Sequence, residues 1–392
     1  MNEDIVEIEE ETPVITPRIL TSYTVEKELK SMINLFSVQS YSKQEQDIRN
    51  FILKQLKGRK DLLIETDLSG NLLITKGKLK KDEFYPCLMA HMDTVFPKTN
   101  GYKVNKHIDP KGNTILYATC YPRIISEYKY DAGFASKIEN KVSSDKTGIG
   151  GDDKCGIWIG LKLLNELPKV KVVFTVQEET GGQGTYDLDL KFFEDVGYII
   201  EGDRRGNSDV ITKIFDNNCS QDFVETITPL MDKFGYGEEN GMFTDIDVLL
   251  DSDVGVSCIN VSVGYYNPHS NDEFVVVEDL LEATQFIKEC VKTLGNNKYP
   301  FLRPRLSSYK GCKSGYYSDN YWDDYYEDYE QKGWKNTKKC TCNEAQDLLD
   351  IDCEIHNPII QRFSGFMCNC GEELEKREFT LSCPYCAKHY IL

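Results

Sequence analysis

Leu88-Met89-Ala90-His91-Met92-Asp93-Thr94-Val95 begins as an uncharged apolar run and breaks into polar chain at His91, with a carboxylate two residues further on. Such a run predicts a buried strand whose last side chains emerge at its carboxyl end. Gly150-Gly151-Asp152-Asp153-Lys154-Cys155-Gly156 has the opposite sense. Here a polar turn opens an apolar helix, with Ile157, Trp158, Leu161 and Leu164 spaced along one stripe. In Phe174-Thr175-Val176-Gln177-Glu178-Glu179-Thr180-Gly181-Gly182, two carboxylates again follow an apolar strand. Two of the five histidines, His91 and His269, lie near carboxylates in short polar loops. Neutral imidazole and carboxylate oxygen together suit zinc or a similar divalent cation.

Outward from these segments, apolar periodicity predicts helices over 25–36 and 44–56, then strands over 62–65, 71–75 and 85–90. Residues 98–146 read as polar and irregular beyond a short strand over 114–117. Strands over 169–176, 196–202 and 258–263 alternate with helices after Asp153, over 221–234 and over 279–294. The alternation predicts an α/β fold with a mixed sheet covered by helices on both faces. In such sheets, sites form beyond the carboxyl ends of the strands. His91, Asp152, Glu179, Asp203 and His269 all fall just after a strand or where a loop meets a helix.

A chain of 392 residues exceeds one ordinary core, so a large domain with an appendage is expected. The net charge of −18 is spread along the chain, which disfavours nucleic acid and anionic membrane as partners. No apolar run follows a basic start, and none approaches the roughly 20 residues of a membrane span. The expectation is a soluble cytoplasmic protein. Residues 1–16 are acidic and aperiodic, a disordered lead. Residues 17–298 form the catalytic domain, 299–338 a Tyr/Asp-rich linker, and 339–392 a cysteine-rich domain.

Five segments in this order resemble the di-zinc peptidase family that includes peptidase T, glutamate carboxypeptidase and acetylornithine deacetylase. They are Ala90-His91-Met92-Asp93-Thr94-Val95, Gly151-Asp152-Asp153-Lys154, Gln177-Glu178-Glu179-Thr180-Gly181, Tyr198-Ile199-Ile200-Glu201-Gly202-Asp203 and Gly264-Tyr265-Tyr266-Asn267-Pro268-His269. The resemblance covers residues 20–298 and implies a zinc-exopeptidase-like fold with two zinc, cobalt or manganese ions. It places His91, Asp152 and Asp203 on one ion and Asp152, Glu179 and His269 on the other, with Asp152 bridging and the Asp152–Asp153 peptide cis. Asp93 and Glu178 are the implied catalytic carboxylates: Asp93 accepts the second ring N–H of His91, and Glu178 is general base to a metal-bridging hydroxide. Glu201 competes with Asp203 as a ligand, and Arg204 or Arg205 offers a cation for a substrate carboxylate. The implied substrate is a short peptide cleaved near a free terminus by an aminopeptidase or di/tripeptidase. An N-acyl amino acid deacylase and a catalytically inert metal-stabilised binding protein are the alternatives. The family's lid or dimerisation domain of roughly a hundred residues has no room in the 38 residues between Asp203 and Met242, so a monomer is implied.

Cys87, Cys155, Cys258 and Cys290 sit singly in apolar segments and read as buried, inert thiols. The last 53 residues hold seven more. Cys368 and Cys370 are separated by 12 residues from Cys383 and Cys386, a pattern that resembles a zinc ribbon with one structural zinc. Cys340, Cys342, Cys353 and His356 offer a second structural zinc site. A protein partner is the expected role for this tail.

Overall fold

The computed structural model describes residues 23–121 and 145–303, together with strand backbones at 124–131, 134–142, 348–349, 375–377, 380–382 and 389–391. The chain divides into two compact units, Met1–Leu306 and Ser307–Leu392.

In the first unit α1 (Val25–Phe36) and α2 (Gln46–Leu56) lead into β1 (Leu62–Thr66), β2 (Leu72–Lys76) and β3 (Tyr85–His91). Next come β4 (Lys103–Ile108), β5 (Thr114–Thr119), β6 (Ile124–Asp131), β7 (Phe134–Val142) and β8 (Lys146–Thr147). Then follow α3 (Gly151–Glu166), β9 (Val170–Thr175), a 3₁₀ turn over Glu178–Thr180, α4 (Gln183–Tyr186) and a second 3₁₀ turn over Leu190–Phe193. The remainder is β10 (Val196–Arg204), β11 (Asp209–Ile214), β12 (Asp216–Asn217), α5 (Gln221–Phe234), β13 (Gly237–Asn240), α6 (Asp245–Asp251), β14 (Cys258–Ser262), β15 (Tyr265–Tyr266), β16 (Phe274–Val276) and α7 (Val277–Leu294).

The main sheet runs β1-β2-β9-β3-β10-β14-β11-β12, with β13 also paired to β11. Its centre, β9-β3-β10-β14, is parallel, while β2 and β11 pair antiparallel to it on either side. β3 and β9 are buried along their whole length. Alternate residues supply two different cores: Leu88, Ala90, Val172, Phe174, Tyr198 and Ile200 face one, and Cys87, Met89, Val173 and Ile199 the other. A period of two with both sets apolar is what a sheet covered on both faces requires. The first core is closed by α1, α2, α3, α5 and α7, the second by α6 and the turn that carries Phe193. The sheet is therefore mixed and covered on both faces, in agreement with the pattern of the sequence.

Residues 98–146, expected to be irregular beyond a short strand over 114–117, contain that strand as β5 and also β4, β6, β7 and the start of β8. β4 and β5 join β15 and β16 in a second sheet, with β8 on the edge of β5. The apolar signal is weak because β4 carries Lys103, Asn105, Lys106 and His107 and is largely exposed. Backbone pairing, rather than alternation of its own side chains, holds it in the sheet. The 38 residues after Asp203 form β11, β12, α5 and β13 at the far side of the main sheet. Residues 299–303, given by composition to the linker, are packed: Tyr299 bonds Gly197 and Ser257 through its main chain, and Arg303 pairs with Asp247 and Asp251.

The second unit contributes β17 (Leu348–Leu349), β18 (Glu375–Arg377), β19 (Thr380–Ser382) and β20 (His389–Ile391), in the order β17-β20-β19-β18. β18 and β19 form a hairpin between the cysteine pairs 368–370 and 383–386 in the sequence. All seven tail cysteines and His356 lie outside the described residues, as does the lead over 1–16.

Candidate metal centre

His91 is the last residue of β3 and is 1% exposed. Its ring is aimed by its own neighbourhood. Nδ1 stands 3.0 Å from the main-chain oxygen of Asp93 and 3.5 Å from that residue's carboxylate. Nδ1 thus faces both the carbonyl and the carboxylate of Asp93, the carbonyl being the nearer. The carboxylate of Asp93 has another task. It accepts the main-chain N–H of Glu178 at 3.0 Å and of Glu179 at 3.3 Å, and the hydroxyl of Ser42 at 2.7 Å. Asp93 therefore anchors the 3₁₀ turn on which the two glutamates stand.

Asp152 opens α3 in a non-helical conformation, as does Asp153, and the peptide between them is cis. Regular helix begins after them. This frees the Asp152 side chain to project between two imidazoles: Oδ1 is 3.0 Å from Nε2 of His91, and Oδ2 is 3.3 Å from Nε2 of His269. Asp153 turns the other way and accepts the main-chain N–H groups of His91 and Gly156.

Glu179 reaches His269 at 3.1 Å through Oε2, while its Oε1 is buried with no hydrogen-bond partner. Glu178 brings Oε2 to 3.9 Å from Nε2 of His91. Asp203 approaches the same nitrogen at 3.7 Å and accepts the hydroxyl of Tyr265 at 3.1 Å. Between Glu201 and Arg204 the register of β10 shifts, and the side chain of Asn260 takes over the missing ladder bonds, accepting from Asp203 N–H and donating to its carbonyl. Glu201 instead accepts the hydroxyl of Thr244 at 2.7 Å. Of the competing pair, Asp203 is the one brought to His91. Arg204 is engaged by Asp209, with both Nε and Nη2 at 3.1 Å, so it is not aimed at the centre.

Among the described residues two groups could hold a metal ion, His91 with Asp152 and Glu179, and His91 with Asp153 and Asp203. The charge on the centre explains the fit. Burial, then the Asp152 carboxylate, pushes Asp203 up to about 7. Burial first, and neighbouring carboxylates after it, raises Glu178 well above its ordinary value and raises Glu179 as well. Burial opposes a charged His91, yet the carboxylates of Asp203, Asp152 and Asp93 outweigh it and hold that imidazole well above its usual range. Hydrogen bonds to Asp152 and Glu179 lift His269 to about 11. Without added positive charge Asp203, Glu178 and Glu179 are pushed toward their protonated forms, while Asp152 stays ionised between two charged imidazoles, a condition a divalent cation would relieve.

Another neighbour of the centre had no sequence signal. Asp245, fully buried at the start of α6, accepts hydroxyls from Thr175 and from Thr185, the latter at 2.6 Å. It supports the end of β9 from beneath the glutamate turn. Nothing in Thr244-Asp245-Ile246-Asp247 distinguishes it from an ordinary helix start. The thiols of Cys87, Cys155, Cys258 and Cys290 are buried as expected, and burial pushes that of Cys87 up to about 12.

No protein-family model and no curated protein matches the chain. Solved structures do. Aminopeptidase PepT from Bacillus cereus is similar at a TM-score of 0.53 and 15% identity, over 69% of this chain and 99% of that one. A tripeptidase from Staphylococcus aureus gives a TM-score of 0.49 and 13% identity, over 69% of this chain and 98% of that one. The likeness to the first of these establishes the architecture: the chain has the α/β fold of that aminopeptidase.

Proposed function

We propose that the chain is a peptidase that cleaves beside a free amino terminus, dependent on two divalent ions of zinc, cobalt or manganese shared across Asp152. The observation that carries this reading is the Asp152 carboxylate, with one oxygen on the His91 side and the other on the His269 side. His91, Asp152 and Asp203 suit one ion, and Asp152, Glu179 and His269 the other. Asp153 is a brace, since its oxygens already serve main-chain N–H groups. The orphaned Oε1 of Glu179 supports the fit, because a buried carboxylate oxygen without a partner is costly unless a positive charge meets it.

When bound, such ions supply Lewis-acid polarisation of the scissile carbonyl and lower the pKa of water. Glu178 takes the proton of the attacking water on its carboxylate and passes it to the leaving amine. A group that must hold a proton between two steps benefits from a raised pKa, and burial provides one here. Asp93, by fixing the main chain of both glutamates, keeps Glu179 turned to His269 and Glu178 toward His91.

The preference for a free amino terminus follows the aminopeptidase whose fold the chain shares. A deacylase would need a cation for the free carboxylate of an N-acyl amino acid; Arg204 is committed to Asp209, which leaves Arg205 as the cation on which that reading depends. An inert binding protein would not need Glu178. The test is hydrolysis of a library of short peptides and N-acyl amino acids by protein loaded with zinc, cobalt or manganese, read by mass spectrometry. Release of amino-terminal residues is expected. Metal-loaded protein that cleaves only N-acyl substrates, or nothing, would overturn the proposal.

A further inference from the structure

Glu273 lies four residues beyond His269 in the connection between β15 and β16 and is 1% exposed. Its carboxylate crosses to the turn before α3, where Oε2 accepts the N–H of Gly150 at 2.6 Å and Oε1 that of Asp152 at 3.1 Å. Glycine permits this approach. Gly150 has φ +67°, and a Cβ on Gly151 would stand 2.7 Å from Cβ of Tyr265 and 2.9 Å from Cγ2 of Val275. Those two atoms belong to the strands flanking the Glu273 connection. Lys154, 2% exposed, is the buried cation that faces Glu273 across the turn.

We propose that Glu273 is a positioning residue that locks the His269 loop to the Asp152 turn before any ion binds. The proposal rests on the two-ion reading above. In the metal-free protein no ion ties the His269 loop to the Asp152 turn. The His269 side chain is 40% exposed, on a loop whose other ties are local bonds, from Ser270 to Asn267 and from Asn267 to Asp272, and one exposed ion pair from Lys146 to Asp272. The two-point hydrogen bonding of the buried Glu273 side chain supplies that tie. By fixing the amide of Asp152 it also fixes the direction in which that side chain leaves the main chain. The same residue thus sets the shared ligand and one terminal ligand relative to each other.

Two measurements test this. In metal-free wild-type protein, hydrogen exchange followed by NMR should show the Gly150 and Asp152 amides strongly protected. Exchange as fast as that of exposed loop amides would overturn the lock. In Glu273→Gln an amide NH₂ replaces one acceptor and faces a main-chain N–H. Zinc titration against a competing chelator should then show affinity about tenfold or more weaker, with an unchanged far-UV spectrum. Asp279→Asn, the same acid-to-amide change at the acceptor of the Tyr266 hydroxyl and away from the turn, should leave affinity intact. Wild-type affinity in Glu273→Gln, or an equal loss in Asp279→Asn, would overturn the proposal. If the Gln variant does not fold, Glu273→Asp is titrated in its place under the same criteria, and if neither folds the exchange result decides. Wild-type protein that binds no divalent ion would instead sink the two-ion reading, leaving the exchange result to judge the lock alone.

Discussion

The two imidazoles that flank Asp152 occupy matching stations and are held in opposite ways. His91 ends a fully buried strand, with its ring nitrogen on the Asp93 carbonyl and its main-chain N–H on Asp153. His269 sits at φ +59° on an exposed loop and reaches Asp152 and Glu179 from outside. One half of the centre is built into the sheet, while the other is delivered to it. The built half should hold its shape through the sheet alone, and the delivered half, tied by Glu273, should be the side that admits substrate and exchanges ions.

The largest effect expected from this contrast is at His91. His91→Ala leaves buried carboxylates facing a cavity, so it should abolish hydrolysis, lose both ions and destabilise the metal-free fold by about 3 kcal/mol. His269→Ala should also lose metal, yet change metal-free stability by less than about 1 kcal/mol, as a half-exposed residue allows. Calorimetry with zinc per chain checks both, and equal destabilisation would erase the contrast. Next is Glu178→Gln, which belongs to neither half as a ligand. Turnover should fall about 10²- to 10⁴-fold with the metal content unchanged, and full activity would remove Glu178 from the chemistry.

A third effect is the pH dependence of the metal-free protein. Asp203 and Glu273 have folded-state values raised to about 7 and about 8, from an ordinary range near 4. The folded state therefore binds more protons than the unfolded one, and stability must fall as pH rises from about 4 to about 8. Thermal melts should show this loss, and zinc should cancel it at pH 8. Stability that rises over that window without metal would contradict the packing of the carboxylates. The smallest effect is at Tyr265, whose hydroxyl bonds Asp203. Tyr265→Phe should cost about 0.5–1.5 kcal/mol of stability and weaken metal binding less than Glu273→Gln does.

The built half was legible in the sequence because a buried parallel strand leaves an unbroken apolar run, and Leu88 to Ala90 ends abruptly at His91. The helix after Asp153 announced itself in the same way. β4 and β15 did not, since a strand of mixed polarity or of two residues carries no periodicity to read. The supports of the centre were hidden for another reason. Asn260, Asp245 and Glu273 act across gaps of 57, 70 and 121 residues on Asp203, Thr175 and Asp152. No local pattern marks a side chain whose partner is set by tertiary packing. Asp93 was singled out by the resemblance as the partner of His91, and nothing in the sequence announced that its carboxylate also accepts main-chain N–H groups of the glutamate turn 85 residues away.

The packed segment over 299–303 has a consequence for how the first unit is made. Tyr299 lies edge-on to Tyr198 and Phe223, with ring centroids 5.9 and 5.3 Å away, and Arg303 closes on α6. The aromatic cluster behind β10 is thus sealed by the last stretch of the unit to be synthesised. Domains fold as units while the chain emerges, so this one cannot finish before Arg303 has left the ribosome. A nascent chain stalled with only 294 residues exposed should stay sensitive to protease, and one exposed past residue 306 should become resistant.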